Sequence, residues 1–134
     1  MGFLSIHESL DSHLELLTDL PPLQKENIRM KLGAGTKSWC RATFIPNPTA
    51  RLSLGDGGLD ELNGIYQIDL FFPGDDNYTN CTEYCDKIIT HFKIGSIIDG
   101  IRIVNTYPSP GFSGAPNYYT IPVIVEWSYY GQRI

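Results

Sequence analysis

The chain is poor in the features that announce chemistry. It has three cysteines, Cys40, Cys81 and Cys85, an odd number that argues against a disulfide framework and fits reduced thiols in a cytosol. Its three histidines, His7, His13 and His91, form no H-x-x-x-H pair, and no C-x-x-C motif accompanies them, so a zinc site is not expected. Basic residues number 10 against 15 acidic ones, a net charge of −5, which argues against a protein that grips nucleic acid through phosphates. No apolar run approaches the roughly 18 residues of a membrane span. The opening MGFLSIHESL lacks both the basic start and the long apolar centre of a signal peptide. Internal repeats and low-complexity tracts are absent as well.

Catalytic and ligand motifs fail one by one. Ser113 lies in GFSG, which lacks the full G-x-S-x-G and does not join a strand to a helix, so it reads as a turn serine. Asp75-Asp76-Asn77 lacks the spacing of a calcium loop and suits a helix start instead. Leu54 to Gly58, LGDGG, has neither phosphate-loop frame and precedes a strand, whereas a phosphate loop precedes a helix. Two N-x-[ST] matches, at Asn77 and Asn80, have no secretion signal to give them meaning. No cofactor and no metal are expected.

What the 134 residues do contain is the material of one domain. Aromatics are plentiful, with 8 Tyr, 6 Phe and 2 Trp, and the charged fraction is a modest 19%. The chain is organised around Arg51 to Gly74. In Ile65 to Phe72, Tyr66, Ile68, Leu70 and Phe72 share one face and Ile65, Gln67, Asp69 and Phe71 the other, the alternation of a central strand. Before it, Pro46 to Gly64 reads as a connection of about 19 residues, long enough to suggest a working loop.

The remaining elements follow from periodicity. Residues 5 to 18 predict a helix, with Ser5 and Glu8 as a capping box and Ile6, Leu10, Leu14 and Leu17 on one stripe. Residues 26 to 31 suggest a short edge strand, and Gly33 to Lys37 a turn. Trp39 to Ile45 predicts a strand. A second helix is expected from Tyr78 to Phe92, with Cys81, Tyr84, Cys85, Ile88 and Phe92 inward. Asp99-Gly100 predicts a hairpin turn between Ile97-Ile98 and Ile101 to Val104. Tyr107 to Asn117 reads as an irregular loop, and Tyr118 to Tyr130 as a last strand in which Pro122 signals an edge, a bulge or a strand start. The sum is an α+β domain: a mostly antiparallel, mixed sheet of about five or six strands with two helices packed on one face.

Three segments in order, WCRATFIPNPTARLSLGDGG, NGIYQIDLFFPGDDN and YTIPVIVEWSYY, resemble the small tail terminator proteins of long-tailed bacteriophages and prophages. The most specific parts are Leu54 to Gly58 and Gly64 to Asp69, and the likeness runs from about Ser5 to Tyr129. The resemblance implies a virion structural protein, assembled in the host cytoplasm, that forms a hexameric ring on the head-proximal end of the tail tube. Such a ring stops tube polymerisation, offers a surface to head-completion proteins, and lets DNA pass through its lumen without specific binding. It implies no catalytic residue.

A ring needs two different patches that meet, and the two long loops offer apolar residues for that. Arg51, Leu52, Leu54, Asp56 and Leu59 in the first, and Tyr107, Phe112 and Tyr118 in or beside the second, are the candidate contacts with another subunit or the tube. One alternative is a neck or connector protein on the portal side. Another is a small ligand-binding or enzymatic domain, whose pocket would draw on Gln67, Asp69 and His91.

Overall fold

In the computed structural model the described residues are 2–24, 38–48, 50–51, 59–73, 78–115 and 118–132. Helix α1 spans Phe3–Glu15, starting and ending earlier than its sequence pattern suggests. Gly2 is the N-cap and no side chain caps the helix, so Ser5 and Glu8 lie inside it and form no capping box. The reason is packing: Phe3 meets the Phe44 ring edge-on at 6.5 Å, which draws the first turn onto the core ahead of Ser5. The inward stripe is as expected, with Ile6, Leu10 and Leu14 fully buried.

Strand β1 (Leu23–Gln24) runs parallel to β2 (Trp39–Pro46), and the Cys40 amide donates to the Pro22 carbonyl at 2.9 Å. The strand expected at 26–31 and the turn at 33–37 lie outside the described residues. β3 (Ala50–Arg51) pairs with the start of β4 (Leu59–Pro73). The expected loop from Pro46 to Gly64 is therefore shorter than it looks: Leu59 to Gly64 are already strand. Asp60, Leu62 and Gly64 face inward and Glu61 and Asn63 do not, so the alternation begins well before Ile65. An inward aspartate and a glycine hide it from a hydrophobicity reading.

Gly64 has a specific cause. A Cβ there would stand 2.5 Å from the Ile45 carbonyl oxygen, 2.8 Å from the Pro46 Cα and 3.0 Å from the Trp127 ring. Two of these are backbone atoms or fixed by backbone, so no larger residue fits while β2 and β4 stay paired.

Helix α2 spans Tyr78–His91, with Cys81, Cys85, Ile88 and the following Phe92 buried as predicted. The expected cap at Asp75 to Asn77 lies outside the described residues. β5 (Ile97–Ile98) and β6 (Ile101–Pro108) form the predicted hairpin, and its turn residues Asp99 (φ 49) and Gly100 (φ 83) both take the positive φ of a type I′ turn. The region read as an irregular loop is not one throughout. β6 continues to Pro108, and β7 (Phe112–Ala115) pairs with the start of β8 (Tyr118–Gln132).

β8 lies against β4 over its whole length, from Leu59↔Gln132 to Pro73↔Tyr118. The sheet order is β1-β2-β4-β8-β6-β5, with β3 on β4 and β7 on β8. Pro122 thus sits in a central strand, not at an edge. Its carbonyl accepts from the Ser109 amide at 2.7 Å, so its missing N–H would point to the same side. There β6 has ended, at Pro108 opposite Val123, and β7 begins, at Phe112 opposite Thr120, so the gap falls where the neighbouring strand changes.

Both helices pack on one face, over Tyr66, Ile68, Leu70 and Phe72 of β4 and Val123, Val125 and Trp127 of β8. The fold is α+β with a mixed, mostly antiparallel sheet, as the sequence predicts. Cys40, Cys81 and Cys85 are buried thiols, not disulfide-bonded; burial pushes Cys40 up to about 12 and Cys85 to about 11, which removes them from nucleophilic chemistry. α1 is tied to the sheet by the buried Tyr66 hydroxyl, which donates to Asp11 Oδ1 at 2.5 Å, while Asp11 Oδ2 lies 3.4 Å from His7 Nε2. Burial, then Asp11, pushes the phenol far up, so it stays a donor. Tyr66→Phe is expected to lose about 2 kcal/mol in urea unfolding, the scale of a hydrogen bond to a charged acceptor.

Candidate assembly surface

Among the described residues no helix covers the other face of the sheet. Period two fixes which residues reach it: Trp39, Arg41, Thr43 and Ile45 from β2, Glu61 to Phe71 at odd positions from β4, and even positions from β8. At one end the face is closed. Asp69 is 3% exposed and receives Arg41 Nη2 at 3.2 Å and Gln67 Nε2 at 2.8 Å. Trp39 stacks on Phe71 at 3.9 Å, and the Arg41 guanidinium lies 5.2 Å from the same ring. Trp39 Nε1 and Thr120 Oγ1 are buried here without a hydrogen-bond partner among the described residues. Such groups are costly until something meets them.

At the other end the face opens into a shallow cavity of about 570 Å³, whose lining includes Glu61, Asn63, Ile65, Arg102, Glu126 and Ser128. Apolar side chains stand exposed at or near its rim: Ile45, Ile94, Val104 and Tyr130. Val104 points outward by alternation from the buried Ile101 and Ile103, at the point where β6 shifts register before Asn105. Asn47 and Asn63 are joined twice, through backbone and side chains, each at 2.9 Å, and Asn63 Nδ2 donates to Glu61 at 3.3 Å. This surface mixes apolar residues with paired polar ones. It has the make-up of a protein contact, and no set of three or more metal-binding side chains gathers among the described residues.

A family model described as phage tail terminator protein matches residues 5–127. The chain belongs to that family. Membership points to a structural role in the phage tail. A solved protein structure known only by a sequence identifier has a TM-score of 0.73 to this chain at 17% identity, covering 100% of this chain and 97% of the other. At that identity the likeness shows the fold alone. No curated protein matches. Among the described residues no helix is long and apolar enough to cross a membrane.

Within this tail terminator fold the predicted contact residues fall in separate places. Leu52, Leu54 and Asp56 lie outside the described residues. Arg51 is in β3, paired with Asp60, and Leu59 opens β4 opposite Gln132. Phe112 pairs with Thr120 in the β7–β8 ladder, and Tyr118 opens β8 opposite Pro73. Leu59 and Tyr118 are thus at opposite ends of the long β4–β8 ladder, about 45 Å of strand apart measured along the chain direction. Tyr107 lies between, exposed, its hydroxyl donating to Glu126 at 3.3 Å; desolvation and that carboxylate both raise its pKa.

Gln67 and Asp69 are on the helix-free face, whereas His91 ends α2 on the opposite one, so the three do not converge on a pocket. The sequence reading missed Ile45, Val104 and Tyr130. Their only signal was position in a period-two pattern, which is the same for a solvated face and for a contact face.

Proposed function

We propose that this protein closes the phage tail tube by assembling copies of itself, six in the ring, at the head-proximal end. The observation that carries the reading is the placement of the two loop regions at opposite ends of the β4–β8 ladder within a tail terminator family member. A ring is built head to tail, so each subunit must present two different patches on different sides. The end that holds Arg51, Leu59 and Tyr130 meets the end that holds Phe112 and Tyr118 of a neighbour. The exposed Ile45, Val104 and Tyr130 give the first patch its apolar content. DNA passes through the ring without specific binding, in keeping with the net charge of −5. The head side of the ring receives the head-completion protein, and the other side the tube protein.

Electron microscopy and native mass spectrometry of the protein with tail tubes test this. The expected result is a six-copy ring at one tube end and tubes of fixed length. A protein that stays monomeric on tubes and leaves their length unaltered overturns the proposal. Binding to tailless heads in preference to headless tails moves the protein to the portal side of the joint.

A further inference from the structure

His13 stands in the last turn of α1 and His91 closes α2. Their rings stack with centroids 4.0 Å apart and planes 15° from parallel. His13 Nε2 donates to the His91 carbonyl at 2.9 Å, and His91 Nε2 donates to the His13 carbonyl. Each side chain thereby reaches a carbonyl at the end of its partner's helix, and the His13 carbonyl also accepts the Leu16 amide at 3.2 Å. Phe92 packs edge-on against both rings, at 4.9 and 5.5 Å, and its own carbonyl is held by the Thr106 hydroxyl at 2.6 Å. We propose that this reciprocal pair is an acid-sensitive latch that joins the C-terminal ends of the two helices.

The geometry assigns the protons. Both Nε2 atoms must carry hydrogen, so Nδ1 is the site left to take a proton on each ring. A first proton is tolerated, because a helix C-terminus favours a cation. A second must sit on a ring stacked against the first, where like charges repel. One charge keeps the latch shut and two open it.

Charged neighbours do not reverse this. Asp19, from the segment after α1, and Glu83, Asp86 and Lys87 of α2 line a shallow cavity beside His91, and Lys87 is paired with Glu83 at 3.8 Å. Toward the sheet the pair meets the uncharged Phe92, which Thr106 anchors. Burial lowers the pKa of His91, the His13 carbonyl opposes that, and charge on His13 lowers it further. The sign follows. With the folded value depressed, the unfolded chain takes the proton first, so stability present above about pH 6.5 is lost as pH falls through the lower folded value.

Histidine side-chain NMR on the full chain, with amide hydrogen exchange, tests the latch between about pH 7.5 and pH 5.5. The expected result is both rings as Nε2–H tautomers at the higher pH, with His91 taking its Nδ1 proton only below the ordinary imidazole range. Exchange in the last turns of both helices should rise several-fold on acidification, after correction for the intrinsic rate. His13→Gln supplies an amide donor that does not titrate, and should keep the fold while removing the acid-dependent rise. Titration of His91 at the ordinary imidazole value overturns the proposal, as does a rise that persists in a folded His13→Gln protein. Should that variant not fold, the titration of the native chain decides alone.

Discussion

Ile68→Asp is expected to unfold the protein. Ile68 is fully buried at the middle of β4, opposite Ala42 on one side and Val123 on the other. The inward neighbours along its strand are Tyr66 and Leu70, so a carboxylate there would face the helix layer without a cation. Removing a partner from a buried charge, or creating an unpaired one, costs about 3–5 kcal/mol, and the lost burial of the side chain adds to it. Against a typical domain stability of about 5–15 kcal/mol that leaves little or none. Circular dichroism should show loss of the cooperative thermal transition. Ile68→Val, which removes one methylene, should cost only about 1 kcal/mol and keep the transition. A folded, cooperative Ile68→Asp protein would mean that β4 is not at the centre of the core.

The same strand shows how far sequence alone could reach. Ile65 to Phe72 was legible because large apolar side chains alternate there and both helices press on one set. Leu59 to Gly64 obeys the same alternation, but its inward positions are Asp60, Leu62 and Gly64, and two of these carry no hydrophobic signal. Gly64 is glycine because the Ile45 carbonyl passes too close for a Cβ, a reason that lies in another strand. Pro122 misled in a related way. Proline marks a missing donor, and what the chain cannot reveal locally is that the neighbour on that side changes from β6 to β7 at that point. The capping-box pattern at Ser5 and Glu8 was overridden by Phe3 reaching Phe44.

Legibility of the surface was poorer still. The latch histidines flank apolar stripes in the sequence, yet nothing there brings together residues 78 positions apart. The register shift beside the exposed Val104 leaves no mark in composition. By contrast, the Asp99-Gly100 turn was fully legible, since its positive φ values are a property of two adjacent residues. Local chemistry is readable; the relation between distant strands is not.

The second large effect concerns assembly. Val104→Asp combined with Tyr130→Ser is expected to leave a folded monomer that no longer forms rings. Val104 is 48% exposed and Tyr130 51%, so neither change disturbs the core, and each alone should shift stability by less than about 0.5 kcal/mol. Both side chains belong to the lining of the cavity on the helix-free face. If that face is one side of a head-to-tail contact, it carries an aromatic anchor and an aliphatic neighbour, the kind of pair whose truncation costs about 2 kcal/mol or more per contact. A closed ring repeats the contact at every junction, so the loss recurs around the ring and assembly fails sharply, not in proportion. Leu4→Asp is the control. Leu4 is 71% exposed but lies on α1, in the layer on the opposite side of the sheet, and its replacement should leave ring formation intact. Unfolding curves that match the native chain, together with tubes of uncontrolled length, are the expected outcome for the double variant. Rings that form normally from it would remove the helix-free face from the subunit contact, and would direct attention to the helix layer that Leu4 reports on.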